Sequence, residues 1–309
     1  MNNLAKNSLE PPFTAGQCWQ KRKQKGPVTI AIGLICNNAI VMASDSQTAD
    51  METGKTRRDV DKITKLEFKD GQTGLVAQSG HEVMSARAAE ILTAIAKSEL
   101  LNDYRKGAEL AEKAIADLRR QFRAQYEGSE EGFKRHCLDY SFELLVGYYY
   151  GGKPHLFTLQ FYLGIAKKVL AAYESIGIGA PLGNYILSRC DVADLQLGAA
   201  VAAALYVVED VKKTDFRCQG PTKAAYTIPV GSKDFPEMKM QTVLMSREEV
   251  EERVQKLNKF DDEFKAEWKR RLTNMVYGVA HSSPVQPPEQ MGCSAAIVSG
   301  TVYDQKQGK

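Results

Sequence analysis

The sequence has few of the patterns that mark nucleic-acid-binding or membrane proteins. Its 309 residues carry a net charge of only +3, whereas proteins that bind nucleic acids or membrane surfaces usually carry a stronger or more concentrated basic charge. The longest apolar stretch, residues 195–211, is interrupted by polar and acidic side chains, which favours a buried helix over a membrane span. We therefore expect neither nucleic acid nor a membrane as a partner.

Cysteine and histidine are scarce and scattered. The six cysteines form no CxxC pair, and the four histidines share no metal-ligand spacing. This pattern argues against a structural zinc site and against a disulfide framework. The N-terminus lacks the apolar core of a signal peptide. These absences predict a cytoplasmic protein that uses no metal and no other cofactor.

Proline, glycine and charge divide the chain into four predicted parts. Residues 1–27, which contain Pro11, Pro12 and a short basic run, are predicted to form a flexible N-terminal arm or a propeptide. Residues 28–245 are predicted to form the main domain, and residues 277–309 a loose C-terminal tail. Between them, residues 246–276 predict a long amphipathic helix that begins with a capping box of Ser246 and Glu249. Its apolar stripe fits packing on its own domain or against another subunit.

Hydrophobic periodicity in the main domain alternates between blocks of strands and pairs of helices. Strands are predicted at 29–35, 39–43, 63–68, 73–78, 142–149, 156–161, 169–176, 224–230 and 240–245. Helices are predicted at 82–98 and 104–126, then just after Pro181 and over about 194–211. Hairpin-linked strands form antiparallel sheets, and paired helices can cover each outer face. The sequence thus predicts an α+β fold, a four-layer αββα sandwich.

Four positions in the first third of the chain combine residue types that can carry chemistry. Thr29 opens the first apolar strand, and Asp45 lies across the predicted hairpin from it. Lys62 enters another apolar strand, and Gly80 lies in a strand-to-helix turn. Each also has a structural explanation, because a β-branched residue suits a strand, a Lys–Asp pair can be purely structural, and glycine suits a corner. Their order along the chain, more than any one of them, indicates a function.

In this order the residues resemble the proteasome β-subunits and their bacterial HslV relatives, which are N-terminal-nucleophile (Ntn) hydrolases. The run from Thr29 to Asp45 is similar to the opening hairpin of that family. The resemblance places Lys62 at the position of the family's catalytic lysine and Gly80 at the position of its oxyanion glycine. Asp215 falls at the position of an acidic residue that the family has late in its sequence. It extends over about residues 28–230 and implies the same αββα fold.

The resemblance implies a threonine-type endopeptidase. A threonine hydroxyl is a poor nucleophile and needs a base beside it. The α-amine of an N-terminal residue has a pKa of roughly 7.7–8.0, whereas that of a free lysine is about 10.4. The amine of Thr29 would therefore act as the base, while Lys62 stays charged and Asp45 holds it in place. The Gly80 amide would stabilise the oxyanion.

Three positions differ from the family pattern. Thr29 follows 28 other residues, and Val28 rather than glycine directly precedes it. Ile178 and Cys218 stand where the family has serines near the amine. Two hypotheses follow: either the leading residues are removed and the subunit is a threonine peptidase, or they remain and the subunit is a non-catalytic, structural component of a ring.

The resemblance also implies partners. Subunits of this family assemble side by side, so the chain is expected to form a ring-shaped homo-oligomer. In this family the ring encloses the active sites in a chamber. The resemblance therefore implies peptides or unfolded proteins as substrates and an unfolding ATPase that delivers them.

Overall fold

A computed structural model describes residues 29–49, 56–57, 59–230 and 239–277. The predicted N-terminal arm lies outside the described residues, as does the predicted tail beyond Tyr277. The chain divides into two compact units, Met1–Lys259 and Phe260–Lys309. The first unit contains all the predicted site residues.

The described part of the first unit is built from two five-stranded sheets, one short strand pair and the helices that cover the sheets. The strands are β1 Ile30–Cys36, β2 Ala39–Ser44, β3 Thr48–Ala49, β4 Thr56–Arg57, β5 Ile63–Glu67, β6 Thr73–Gly80, β7 Phe142–Tyr150, β8 Lys153–Gln160, β9 Ala166–Lys168, β10 Tyr173–Gly177, β11 Lys223–Val230 and β12 Lys239–Leu244. The helices are α1 Glu82–Ser98, α2 Lys106–Ala124, α3 Glu130–Asp139, α4 Ala180–Leu187, α5 Leu197–Thr214 and α6 Arg247–Tyr277, the last of which continues into the second unit.

Both sheets are antiparallel and five-stranded. The first has the strand order β10-β1-β2-β11-β12 and the second the order β5-β6-β7-β8-β9, while β3 and β4 form a separate short pair. Consecutive strands pair through hairpins, as β1 and β2 do from Ala31↔Ser44 to Cys36↔Ala39. Asn38 makes this turn possible, since its φ of 55° lies in the left-handed region that asparagine tolerates.

Three apolar layers hold the sandwich together. One lies between the two sheets and includes Ile40, Leu75 and Leu145. A second joins α1 and α2 to the β5–β9 sheet, and a third joins α4, α5 and the start of α6 to the sheet that contains β1. Side chains alternate along β1, with Ile30 and Ile32 facing the helices and Ala31 facing the other sheet. The predicted α+β, four-layer αββα fold is confirmed.

One local prediction was wrong, and one helix was missed. Residues 169–176 were predicted as one strand, but β9 and β10 belong to different sheets, and the chain crosses between the sheets at residues 169–172. Apolar content misled the prediction there, because Leu170 is 93% exposed. The helix α3 was not predicted, although Ser129 caps its N-terminus by accepting a hydrogen bond from the Gly132 amide at 3.1 Å.

The apolar stripe of α6 changes character along the helix. Val250 is buried, and Val254 and Leu257 pack against the core of the first unit. In the second unit, Phe264 and Trp268 on the same stripe are 59% and 53% exposed. Among the described residues, no helix has both the length and the apolar character that crossing a membrane requires.

Leu75 tests the layer between the sheets. Leu75→Ala is expected to lower the free energy of unfolding by about 2–5 kcal/mol, because it leaves a cavity among fully buried side chains. Leu170→Ala is the matched control, and a loss of less than about 0.5 kcal/mol is expected at this exposed position. Urea denaturation of both variants measures the difference. Equal losses in the two variants would contradict the assigned layer.

Candidate active site

The β1–β2 hairpin places Thr29 beside Asp45. Thr29 directly precedes β1, and Asp45 directly follows β2. The Asp45 amide donates to the Ile30 carbonyl at 3.1 Å, and the Ile30 amide donates to Asp45 Oδ1 at 3.1 Å. The antiparallel register of the hairpin therefore fixes the carboxylate next to Thr29.

Lys62 reaches the same point from the other sheet. It lies one residue before β5, and its Nζ donates to Thr29 Oγ1 at 2.5 Å. The same ammonium donates to Asp45 Oδ1 at 3.0 Å and to the Gln47 carbonyl. Since an ammonium has three N–H donors, each donor has an acceptor. Lys62 is 3% exposed and Thr29 is 1% exposed, so the cation contacts the hydroxyl in a site shielded from water.

The Asp45 carboxylate is hydrogen-bonded through both oxygens. Oδ1 accepts from Lys62 and from the Ile30 amide, and Oδ2 accepts from the Gln219 amide at 3.1 Å. The Gln219 carbonyl in turn accepts from the Gln47 amide at 2.9 Å. The loop after α5 thus holds both of the residues, Asp45 and Gln47, that orient the lysine.

Burial acts against both charges of this pair. Loss of hydration raises the pKa of the Asp45 carboxyl and lowers the pKa of the Lys62 ammonium, while the charge of each partner opposes these shifts. The hydrogen bonds favour the charged forms, because every donor of Lys62 is used and the carboxylate accepts three N–H groups. The site therefore holds a buried ion pair with its cation against the Thr29 hydroxyl.

Gly80 ends β6 in a conformation that glycine alone adopts readily. Its φ is 106°, and a Cβ there would lie 2.5 Å from the Phe142 Cα. His81 follows as the N-cap of α1, and its Nδ1 accepts from the Met84 amide at 3.4 Å. Burial lowers the pKa of Lys62, and the charge of Glu82 in the first turn of α1 opposes that shift weakly. Amides at a helix N-terminus favour negative charge.

Glu143, which the sequence interpretation missed, joins the two sheets behind Thr29. It lies in β7, and its Oε2 accepts from the Gly177 amide at 2.8 Å while its Oε1 accepts from Gln160 Nε2 at 2.7 Å. A Cβ on Gly177 would lie 2.4 Å from the Thr29 carbonyl oxygen, which also accepts from the Gly179 amide at 3.2 Å. Glu143 thus helps to fix the backbone of Thr29. The sequence did contain a signal for Glu143, since it is an acidic residue inside an otherwise apolar strand.

Asp215 contributes through the loop that follows α5. Its Oδ1 accepts from the Arg217 amide at 3.0 Å and from Arg217 Nε at 2.8 Å, and its Oδ2 accepts from Arg217 Nη2 at 2.7 Å. This pairing with Arg217 lowers the pKa of the Asp215 carboxyl. The structure thus brings Lys62 into hydrogen-bond contact with both Thr29 and Asp45 and places Asp215 in the loop whose Gln219 amide binds Asp45.

Ile178 and Cys218, which stand where the proteasome family has serines, are an apolar and a neutral side chain. Ile178 packs against the core layer beneath β1. Cys218 is fully buried, and burial raises the pKa of its thiol to about 12, so the thiol stays neutral. Neither residue supplies a hydroxyl to the site. Within the described ranges, no group of three or more Cys, His, Asp or Glu side chains is arranged to hold a metal ion.

This arrangement of sheets, helices and loops matches solved structures of Anbu proteins. The fold is that of the Anbu proteins. Anbu (ancestral β-subunit) from Yersinia bercovieri matches with a TM-score of 0.58 at 15% sequence identity, over 77% of this chain and 97% of that chain. Anbu from Hyphomicrobium sp. strain MC1 matches with a TM-score of 0.55 at 14% identity, over 78% and 97%. The helical assembly of the Anbu complex from Pseudomonas aeruginosa gives 0.52 at 15% identity, over 84% and 100%.

The Anbu matches correct the resemblance drawn from the sequence. The assignment to proteasome β-subunits and HslV was wrong, since the matching structures are Anbu proteins, which are related to the proteasome but distinct from it. The sequence motifs belong mainly to the opening hairpin and its neighbours, and these short patterns could not separate related families. No protein-family model and no curated protein matches the chain. At 14–15% identity, the Anbu structures establish the fold alone.

The buried pair gives a first prediction for the site. Lys62→Met keeps the side-chain bulk but leaves Asp45 buried without its cation. The free energy of unfolding is expected to fall by about 3–5 kcal/mol at pH 7. The folded-state pKa of Asp45 is then raised further, so the loss shrinks as pH falls through that pKa. It is absent below the unfolded value of roughly 3.9. Chemical denaturation from pH 7 to below that value measures it.

The matched control for this variant is Lys256→Met. Lys256 forms an ion pair with Glu252 on α6, and its side chain is 74% exposed. No change in the unfolding midpoint is expected there at any of these pH values, because exposed pairs contribute little. A pH-independent loss in Lys62→Met would show that the variant lost packing and not charge compensation.

The Asp215–Arg217 pair gives a second prediction. A carboxyl with a lowered folded-state pKa stabilises the fold above its unfolded pKa, and this stability is lost as pH falls through the folded value. Asp215→Asn is therefore expected to cost about 1–2 kcal/mol at pH 7. The difference from the wild-type protein should begin to shrink as pH falls through roughly 3.9 and should disappear below the lower folded-state pKa. Thermal unfolding across this range tests it, with the exposed Asp191→Asn as control. A difference that is constant with pH would contradict the assigned charge pair.

Proposed function

We propose that this chain is the precursor of a proteasome-like, threonine-type peptidase subunit with Thr29 as its nucleophile. The contact between the Lys62 ammonium and the Thr29 hydroxyl, at 2.5 Å inside a buried site, is the observation that supports the proposal most. A cation there favours the ionised form of the hydroxyl. The fold shared with Anbu proteins supports it further, since they are described as ancestral β-subunits.

The proposed reaction requires cleavage of the bond between Val28 and Thr29, which frees the Thr29 amine. That amine takes the hydroxyl proton while Oγ1 attacks the carbonyl carbon of a substrate peptide. The Gly80 amide stabilises the oxyanion, and Lys62 remains charged and lowers the pKa of the amine. The proton then passes to the departing amine of the substrate. Water hydrolyses the Thr29 ester, releases the acid product and restores the hydroxyl.

Each neighbour has a defined part in this proposal. Asp45 keeps Lys62 charged and in place, and Glu143 and Gly177 hold the Thr29 backbone. Asp215 acts indirectly, through the loop that carries Gln219. Since Thr29 is 1% exposed in the full-length chain, the proposal also requires that the site opens to substrate once the chain before Thr29 is cleaved.

A structural, non-catalytic subunit is the second candidate function. Ile178 and the neutral Cys218 thiol support it, because neither supplies a hydroxyl beside the Thr29 backbone. Val28 also supports it, since a β-branched residue crowds the carbonyl at which the chain would have to be cleaved. Under this alternative the leading residues stay attached, and the Lys62–Asp45 pair only joins the two sheets.

We further propose that the chain assembles with copies of itself. The matching structure from Pseudomonas aeruginosa is described as a helical assembly of the Anbu complex. Peptides and unfolded chains are the proposed substrates, because an extended chain can reach the buried Thr29 more readily than a folded protein can.

Intact-mass and activity measurements distinguish the two candidate functions. The peptidase proposal predicts that the 34.2 kDa chain is processed to a form that begins at Thr29 and cleaves fluorogenic peptides. The value of kcat/KM is expected to rise with pH through the amine pKa, at or below roughly 8, because only the neutral amine accepts a proton. Thr29→Ala is expected to abolish cleavage.

The control variant is Thr158→Ala on β8, which is expected to keep full activity. A chain that stays at 34.2 kDa and cleaves no peptide would favour the structural subunit. Peptide cleavage that persists in Thr29→Ala would remove Thr29 from the mechanism.

A further inference from the structure

Gln219 lies in the loop after α5, and its backbone binds two of the residues that accept hydrogen bonds from the Lys62 ammonium. The Gln219 amide donates to Asp45 Oδ2 at 3.1 Å, and the Gln219 carbonyl accepts from the Gln47 amide at 2.9 Å. Lys62 in turn donates to Asp45 Oδ1 and to the Gln47 carbonyl. The position of this one loop residue therefore constrains the position of the cation.

The Gln219 side chain anchors the loop to the last turn of α5. Its Nε2 donates to the Lys212 carbonyl at 2.8 Å. The last four carbonyls of a helix have no amide partner within the helix, and the Lys212 carbonyl is one of these four, since α5 ends at Thr214. The side chain thus pairs a carbonyl that the helix itself leaves open, and it holds the loop against the helix.

A second set of contacts ties the end of the loop to the same helix turn. Lys212 Nζ donates to Glu209 Oε1 at 2.7 Å and to Thr222 Oγ1 at 3.1 Å, and the Thr222 hydroxyl donates to Glu209. Thr222 directly precedes β11. The Lys212 and Glu209 side chains are only 14% and 17% exposed, so salt screens their attraction little. The last turn of α5 is therefore a firm support for the loop.

Only the contact with α5 requires a glutamine at position 219. Every residue except proline carries the backbone amide and carbonyl that bind Asp45 and Gln47, whereas the bond to the Lys212 carbonyl needs a side chain with an N–H donor. Burial raises the pKa of the Asp45 carboxyl, and the Lys62 charge and the Gln219 amide are among the groups that oppose this shift. A displaced loop would therefore weaken the support for the charged pair.

We propose that Gln219 is a positioning residue for the Lys62 ammonium: its side chain anchors the loop to α5, and the loop backbone then keeps two acceptors of the ammonium in place. The catalytic consequence rests on the proposed peptidase function, whereas the anchoring does not. When the loop loosens, the ammonium can withdraw from Thr29. The freed Thr29 amine then has less positive charge beside it, so its pKa rises.

Gln219→Met tests the catalytic consequence, because it keeps the side-chain length and removes the N–H donor. In the processed protein, kcat for a fluorogenic peptide is expected to fall about three- to tenfold, as the loss of one hydrogen bond predicts, with KM changed by less than about twofold. The acidic limb of kcat/KM against pH is expected to move to higher pH. Gln196→Met is the matched control, since Gln196 is exposed at the start of α5 and its side chain makes no capping hydrogen bond. An active Gln219→Met enzyme with an unshifted limb would overturn the inference.

Hydrogen exchange in the full-length Thr29→Ala chain separates the anchoring from the proposed function. Mass spectrometry follows the backbone amides of Gln47 and of residue 219. Adding Gln219→Met is expected to speed their exchange at least about threefold, whereas adding Gln196→Met is expected to leave it unchanged. Faster exchange, with no peptide cleavage by the wild-type protein, would reject the peptidase and keep the anchoring. Unchanged exchange in Gln219→Met would overturn the inference even if the wild-type protein cleaves peptides.

Discussion

The buried pair of Lys62 and Asp45 is the interaction on which the site depends. Removing two charges from water costs several kcal/mol per ion, and only good geometry and further hydrogen bonds offset that cost. Here the lysine comes from one sheet and the aspartate from the other, and each of their hydrogen-bonding groups has a partner. The pair thus requires that both sheets and the loop after α5 keep their positions, which in turn fixes the cation at Thr29.

The backbone around Thr29 is constrained as tightly as the charges are. Gly177 approaches the Thr29 carbonyl so closely that no side chain fits there, and Glu143 accepts the Gly177 amide from across the sandwich. Gly80 ends β6 with a φ of 106°, in the left-handed region, and packs closely against the Phe142 backbone. These contacts pre-organise a threonine whose hydroxyl, carbonyl and following amide all have fixed partners. Such pre-organisation suits a nucleophile, and it also accounts for a stable join between sheets.

Much of the fold could be predicted because its strands are bounded by clear turns and its helices follow an apolar period. The candidate site residues Thr29, Asp45, Lys62 and Gly80 could be picked out for the same reason, since they lie at the ends of those strands. The crossing between β9 and β10 could not be predicted, because the sequence does not show whether an apolar residue such as Leu170 is exposed or buried. Backbone partners such as the Gln219 amide leave no mark in the sequence at all. Short motifs also could not distinguish proteasome subunits from Anbu proteins.

Covalent trapping with a peptide epoxyketone tests most directly whether Thr29 combines a hydroxyl nucleophile with a free amine. Both groups of a single N-terminal residue are needed to close the ring that this reagent forms, because the hydroxyl adds to the ketone and the amine opens the epoxide. Tandem mass spectrometry of the treated protein is expected to locate the ring adduct on a peptide that begins at Thr29, and Lys62→Met is expected to slow its formation. An adduct on another residue, or peptide cleavage by a protein that forms none, would contradict the account.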